Sequence, residues 1–257
     1  MIFIALALQA AATATTPLDA RYKACLDLAT SNPQAAESEA ERFRSAGGGA
    51  RARQCLGLAY TQEERWREAA GAFEAAAREA DAAKDALGAR YWAQAGNAWL
   101  AANEPVKAYA ALNTALAGPA LTGQDKGEAL LDRARSLVAA GAAVAARADL
   151  DAALENAPKD PLAWLLSATL ARRMKDLPRA QGDIAEALRL ASDDPSVQLE
   201  AGNIAALAGD ADAAKAAWQM AVKLAPASPA GQNARAALGQ FDTPLPLPAP
   251  TPAPPAK

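Results

Sequence analysis

The chain has many acidic and basic residues, but they form no recognisable catalytic set. Its 257 residues include no histidine, the commonest general base in enzymes. The paired acids Glu63 with Glu64 and Asp193 with Asp194 could exchange protons, but both pairs fall where we expect solvated turns between helices. Glycines 47–49 lack the Gly-Lys-Ser/Thr sequence of a phosphate loop, so a helix end explains them better. We therefore expect no enzymatic activity and no cofactor.

The elements that must position any functional residue follow from a repeat of 34 residues. Blocks 127–160, 161–194 and 195–228 align without a gap, and this period is typical of stacked two-helix units. In each block the eighth position is small, alanine recurs at the twentieth and twenty-seventh positions, and the twenty-fourth position is large and apolar. Small residues let two helix axes approach while large ones fill the space beside them. The pattern predicts tightly paired antiparallel helices.

Less regular units flank these blocks. We expect two further units at 50–83 and 89–122, a degenerate first unit at 17–49, and a capping helix at 229–240. Extra residues at 84–88 and 123–126 interrupt the upstream spacing, and such additions usually lengthen a second helix or its loop. The degenerate unit keeps only second-helix spacing, and Ser31 or Asn32 before Pro33 provides a helix start.

The repeated residues resemble the tetratricopeptide repeat, whose signature places Trp, Leu-Gly and Tyr in a first helix, Ala and Phe in a second, and Pro at its end. Literal matches are Leu56, Gly57, Tyr60, Ala69 and Phe73. Departures, where the signature has Leu, are Arg133, Ser167 and Ala201. The resemblance covers about residues 50–228, as five repeats. It implies an all-α fold, a right-handed superhelical solenoid of antiparallel helix pairs.

The resemblance also implies a binding surface for a protein or peptide partner. In tetratricopeptide repeats the second, fifth, ninth, twelfth and thirteenth positions face the concave side. Amide and guanidinium groups there suit an extended peptide, because they pair with backbone groups and carboxylates. The alternative for any one of them is a solvated side chain on a helix face. The positions carried over to this chain are Arg51, Gln54, Arg90, Asn97, Glu128, Leu131, Arg135, Leu165, Thr169, Arg172, Arg173, Leu199 and Asn203.

The two cysteines and five tryptophans have structural interpretations. Cys25 and Cys55 lie on predicted first helices of neighbouring units, and packed helix axes are about 8 to 10 Å apart. A disulfide is possible, and two buried free thiols are the alternative. A metal site is not expected, because two cysteines without histidine do not supply the usual zinc ligands. We expect tryptophans 66, 92, 99, 164 and 218 mainly to pack helix against helix, not to form a ligand-stacking platform.

The two ends of the chain differ from the repeats. Residues 1–14 are an apolar run followed by small residues, which predicts a signal peptide cleaved after Ala14. A short membrane anchor is the alternative, but the run is shorter than the roughly 20 apolar residues that span a bilayer. We expect no transmembrane span after signal removal. Seven prolines within 241–257 predict an extended, disordered tail, with a spacer or a docking strip as alternatives.

The charge and composition of the chain limit the classes of function that it can have. The formal net charge is −3 with both signs interspersed, whereas nucleic-acid binding needs a concentrated basic surface. The sequence predicts a non-enzymatic, periplasmic or otherwise exported scaffold that binds a protein or peptide partner in a bacterial-type cell envelope. The alternative is a structural repeat protein that self-associates through its Pro-rich tail.

Overall fold

The computed structural model describes residues 16–241, which fold as α-helices joined by short turns, with no β-strand in that range. The predicted signal peptide at 1–14 and the tail after Phe241 lie outside the described residues. The helices are α1 Pro17–Ser31, α2 Pro33–Phe43, α3 Gly49–Gln62, α4 Trp66–Ala82, α5 Gly88–Ala101, α6 Pro105–Ala115, α7 Gly123–Ala139, α8 Ala143–Asn156, α9 Pro161–Arg173, α10 Leu177–Leu190, α11 Pro195–Ala208, α12 Ala211–Leu224 and α13 Pro229–Phe241.

The chain forms two compact units, one ending at Asp149 and the other beginning at Leu150. In the first unit each helix from α1 to α7 packs on the next, and the odd-numbered helices also meet, α1 on α3 and α5 on α7. In the second unit α9 to α13 pack in the same manner, with α9 on α11 and α11 on α13. Each unit is thus built from helix pairs whose first helices lie side by side.

The small residue at the eighth position of a repeat is required by the large one at the twenty-fourth. A Cβ added to Gly57 would lie 2.6 Å from the Phe73 ring, well inside van der Waals contact. Gly96 has the same relation to Leu112 at 2.4 Å, and the corresponding contact in the last repeat is that of Gly202 with Trp218. The two helices of a pair therefore approach closely, because the first helix has no side chain at the place where the large side chain of the second helix packs.

The first unit begins with a complete helix pair, where the sequence showed only second-helix spacing. Asn32 is the residue that starts α2, because its side chain accepts a hydrogen bond from the Ala35 amide at 3.1 Å. After α2 a single wide helical turn, Arg44–Gly48, leads into α3. Gly47 has a φ of 90°, a backbone conformation that favours glycine. The glycines therefore end a helix.

The two insertions between repeats adopt different structures. Residues 84–88 form most of the loop between α4 and α5, and α5 starts at Gly88. Residues 123–126 instead form the first turn of α7, so they lengthen a first helix. The expectation of a longer second helix or loop is wrong for this second insertion. It contributes Asp125, whose carboxylate lies in the groove described below.

Aspartates start the helices of the second unit, and the sequence interpretation missed this. Asp160 and Asp194 cap the first helices α9 and α11, and Asp176 and Asp210 cap the second helices α10 and α12. Each side chain accepts a hydrogen bond from a first-turn backbone amide, which satisfies an otherwise unpaired donor. Each pair is 34 residues apart, so the repeat period itself could have revealed them.

Only one tryptophan is fully buried. Trp218 is 4% exposed, and the other four are half-buried. The indole N–H groups of Trp92, Trp99 and Trp164 donate to Asp81, Glu74 and the Pro158 carbonyl at 2.8 to 2.9 Å. These rings lie at the edges of helix contacts, with the polar edge of the indole turned towards a surface partner. All three also pack against core clusters, so the predicted packing role is confirmed for them as well as for Trp218, whereas Trp66 lines the groove described below.

Candidate functional site

A groove of about 630 Å³ opens on the first unit and is lined mainly by its first helices. We call it the α1–α7 groove. Its polar lining comes from four helices, with Tyr22 on α1, Gln54 on α3, Tyr91, Gln94 and Asn97 on α5, and Asp125, Glu128 and Asp132 on α7. Because successive first helices lie side by side, residues far apart in sequence share one surface.

A chain of hydrogen bonds crosses the α1 to α5 part of the groove. The Tyr22 hydroxyl donates to Gln54 Oε1, and Gln54 Nε2 donates to Gln94 Oε1 at 3.0 Å. Farther along, Asn97 Nδ2 donates to Asp132 Oδ2 at 2.8 Å and so links α5 to α7. The side chains are therefore held in fixed orientations before any partner is present.

Tyr91 has the least satisfied polar group in the groove. Its side chain is 2% exposed, and its hydroxyl has no hydrogen-bond partner among the described residues. Burial, reinforced by the nearby Tyr22, raises the pKa of Tyr91 to about 12, so the hydroxyl keeps its proton at neutral pH. A buried donor without an acceptor costs about 1 to 3 kcal/mol. Few such groups persist in folded proteins, so this one calls for an explanation.

Acidic side chains dominate the α7 wall of the groove. Asp125 pairs with Arg90 Nη2 at 2.6 Å, and Asp132 pairs with Arg135 Nη1 at 2.8 Å. Glu128 lies between them on the same face of α7, because residues three and four apart share a helix face. It accepts a hydrogen bond from Gln124 at 2.8 Å and makes no ion pair with any residue in 16–241. Glu128 is thus an exposed carboxylate without a cationic partner among the described residues.

The structure brings four of the predicted surface residues into this groove. Gln54, Arg90, Asn97 and Glu128 all line it. Arg51 instead pairs with Asp19 at 2.5 Å and lies over the Tyr22 ring, and Arg135 contributes through Asp132.

Leu131 is a correction to the predicted apolar contacts. It is 3% exposed and belongs to the core of the first unit, so the side chain is not available to a partner. Of the equivalent leucines of the second unit, Leu165 is corrected in the same way, whereas Leu199 is partly accessible and its role stays a prediction. Leu165 is 9% exposed within a core cluster, and Leu199 is half-buried against the cluster around Trp218.

The polar residues predicted in the second unit have their own arrangement. Arg172 forms two hydrogen bonds with Glu200, at 2.6 and 3.1 Å. Asn203 donates to Glu200 at 3.1 Å and accepts from the Trp218 indole at 3.1 Å. Arg172 and Asn203 line a shallow depression beside Leu207 and Phe241. Thr169 is half-buried and Arg173 exposed, and neither is among the residues that line this depression.

Sequence reasoning missed several residues of the α1–α7 groove. Gln94 and Asp132 both occupy the sixth position of their repeats, which was not among the positions carried over from the repeat family. The sixth position lies on the same helix face as the second and ninth, so helical spacing alone could have found both residues. Tyr91 gave no sequence signal, because its missing hydrogen bond depends on the packing around it.

The two cysteines lie on α1 and α3, two of the helices that line the α1–α7 groove. The sulfurs of Cys25 and Cys55 are at bonding distance, and their Cα atoms are 6.0 Å apart. The pair joins α1 to α3, the helices that carry Tyr22 and Gln54, and both side chains are fully buried. The bond therefore holds together the two helices at one end of the groove.

Two features bear on metals and membranes within the described range. No group of three or more potential ligands of the His, Cys, Asp and Glu types converges on one point in residues 16–241. Among the helices of that range, none is both long enough and apolar enough to cross a bilayer.

Comparison with known proteins identifies the fold. No protein-family model and no curated protein matches the sequence. Among solved structures, PilW, described as a type IV pilus biogenesis factor, has a TM-score of 0.71 at 19% identity over 88% of this chain and 100% of its own. PilF of Pseudomonas aeruginosa has a TM-score of 0.70 at 16% identity over 86% of this chain and 100% of its own.

A third similar structure is YrrB, described as a tetratricopeptide repeat protein with an unusual peptide-binding site. It has a TM-score of 0.56 at 16% identity, over 77% of this chain and 96% of its own. Together these structures confirm the predicted all-α repeat fold, and the resemblance to the tetratricopeptide repeat holds at the level of fold.

Proposed function

We propose that this chain, which has the tetratricopeptide-repeat fold, is a non-enzymatic scaffold that holds a protein or peptide partner in its α1–α7 groove. The observation that carries the proposal is the groove itself. Four helices present amides, hydroxyls and carboxylates to one open surface, and internal hydrogen bonds already orient many of them. Such preorganisation lowers the entropy cost of binding. The description of YrrB as having a peptide-binding site supports this assignment by similarity of fold.

The proposal includes export to a bacterial-type cell envelope. The apolar start followed by Ala12, Thr13 and Ala14 supports it, and so does the similarity of fold to PilW, a type IV pilus biogenesis factor. Cell fractionation with amino-terminal sequencing tests this part. We expect the mature protein outside the cytoplasm with Thr15 as its first residue. An unprocessed chain in the cytoplasmic fraction would refute export.

Capture from native envelope extracts, with quantitative mass spectrometry, tests the binding proposal. Asn97 is exposed and lines the groove, so Asn97→Trp places a bulky, uncharged ring across it. Gln219→Trp makes a comparable change on the exposed face of α12 and is the matched control. We expect the wild-type chain and Gln219→Trp to recover the same partner and Asn97→Trp to lose it. Equal recovery by all three proteins would show that the partner docks elsewhere.

A further inference from the structure

We infer that the occupant of the α1–α7 groove is an extended peptide with a lysine or arginine side chain against Glu128. The inference rests on the proposed function and deepens it, because it names the chemistry of the partner. Two independent features of the groove carry it, the balance of charge along α7 and the amide N–H groups of Gln94 on α5, which make no hydrogen bond within 16–241.

Among the described residues, three carboxylates and one guanidinium line the groove. Arg90 neutralises Asp125, and Arg135 neutralises Asp132 from just outside the lining. Glu128 lies between them, and its one partner within 16–241 is the Gln124 amide. A cationic side chain placed beside Glu128 would complete the row of ion pairs on α7, whereas an acidic one would meet like charge.

Gln94 on α5 presents the polar groups that a peptide backbone would meet in the groove. Gln94 accepts from Gln54, and its own amide N–H groups make no hydrogen bond within 16–241, so it can donate as well. Donors without acceptors suit the carbonyl oxygens of an extended chain, which are unpaired when the chain arrives outside a helix or sheet.

An acidic peptide fits these features poorly. Arg90, the one guanidinium that lines the groove, is already paired with Asp125 at 2.6 Å. An incoming carboxylate would have to displace Asp125 and would then lie near Glu128. A basic peptide needs no existing ion pair to be broken. The geometry therefore favours a cationic partner over an anionic one.

The test uses three matched sets of labelled, end-capped twelve-residue peptides, identical except for a central lysine, methionine or glutamate. Binding to the full chain is measured by fluorescence anisotropy at low salt. We expect the lysine set to bind most tightly and the glutamate set most weakly. Glu128→Gln should lower the affinity of the lysine set about fivefold, towards that of the methionine set, since one exposed ion pair contributes up to about that factor. Glu155→Gln changes an exposed carboxylate outside the groove and should have no effect.

The outcomes distinguish this inference from the proposed function. A lysine preference that is lost in both Glu128→Gln and Asn97→Trp supports it. Equal binding of the three sets, abolished by Asn97→Trp, would overturn the basic-peptide inference and leave the groove as a peptide-binding surface. Failure of every set to bind, or binding indifferent to Asn97→Trp, would also overturn it. The envelope capture experiment then decides the proposed function separately.

Discussion

At the scale of single residues, Tyr91 and Arg133 show how polar groups are treated in a fold built largely of alanine. Tyr91 is buried without a hydrogen-bond partner, and its ionisation is suppressed by burial. Arg133 replaces the leucine of the repeat signature, yet it forms two hydrogen bonds with Asp149, at 2.8 and 2.7 Å. The Tyr91 hydroxyl has no hydrogen-bond partner among the described residues, whereas the Arg133 guanidinium is paired with Asp149.

Tyr91 should make stability depend on alkaline pH. Its pKa is about 12 in the folded chain against about 10 in an unfolded one. Between these values the unfolded chain binds fewer protons than the folded chain, so the free energy of unfolding falls as pH rises. In Tyr91→Phe we expect a smaller fall, measured by urea denaturation at several pH values from 9 to 11. Tyr109→Phe, at an exposed position, is the control, and identical pH dependence in both variants would contradict the assignment.

Asp149 should be needed for stability only when position 133 carries arginine. Asp149→Ala leaves a half-buried guanidinium without its partner, and we expect a loss of about 3 kcal/mol in the free energy of unfolding. Restoring the signature with Arg133→Leu in the same chain should recover most of that loss, because a well-packed apolar residue can replace such a pair. Chemical denaturation of the single and double variants measures both. A double variant no more stable than Asp149→Ala would refute the compensation.

The same residues show what the sequence could and could not reveal. Arg133 and Ser167 both depart from the leucine of the repeat signature. In the structure each meets an aspartate sixteen positions later, Asp149 or Asp183, and the third repeat has alanine at both corresponding places. The compensation was therefore visible as a correlated change between repeats. The unpaired hydroxyl of Tyr91 was not visible, because a missing contact has no sequence pattern.

At the scale of helices, the close approach between first and second helices of a repeat is the feature that the sequence predicted best. The periodic small and large positions led directly to the paired helices, because the same packing problem recurs every 34 residues. Residues 123–126 were misjudged, since an insertion between repeats can extend either neighbour and spacing alone does not say which. The groove was found only in part, because the sixth position was left out.

The tight contact of Gly202 with Trp218 should produce a coupled pair of substitutions. Gly202→Ala places a methyl group 2.4 Å from the indole, and we expect a loss of about 1 to 3 kcal/mol in the free energy of unfolding. In a Trp218→Ile background the same change should cost much less, since Ala168 and Ile184 already occupy these positions in the preceding repeat. A double-mutant cycle by urea denaturation measures the coupling.

Gly182→Ala is the control for this experiment. Gly182 lies within α10, and a Cβ there would meet nothing within 4 Å. Replacing glycine by alanine in a helix interior should raise the free energy of unfolding by about 0.5 to 1 kcal/mol. A similar loss at Gly182 and Gly202 would show that the effect belongs to glycine in general and not to the indole.

At the scale of the whole molecule, the cysteine pair connects folding with the proposed export, because disulfides persist in oxidising compartments. Reduction should lower the free energy of unfolding by about 3 to 4 kcal/mol, as expected for closing a loop of roughly thirty residues. Thermal melts with and without reductant measure this. Cys25→Ala with Cys55→Ala should melt like the reduced protein and be insensitive to reductant. Free thiols in the purified native protein would contradict the bond.

The tail after Phe241 provides a second test on the whole chain. We expect deletion of residues 242–257 to leave the oligomeric state unchanged, because the proposed binding surface lies in the first unit. Light scattering of the two proteins at equal concentrations gives the number of chains in each particle. Fewer chains per particle after the deletion would favour the self-associating alternative.

In the repeats that pair a glycine with a bulky residue, a methyl group on the glycine would occupy space that the bulky side chain already fills. This limits the order in which the two residues can be substituted during evolution. If the glycine of Gly57 and Phe73 gains a methyl group first, the intermediate carries a steric clash. If the aromatic ring shrinks first, the intermediate carries only a void, which can then be filled. Viable lineages should therefore alter the second helix before the first, and related sequences should preserve traces of that order.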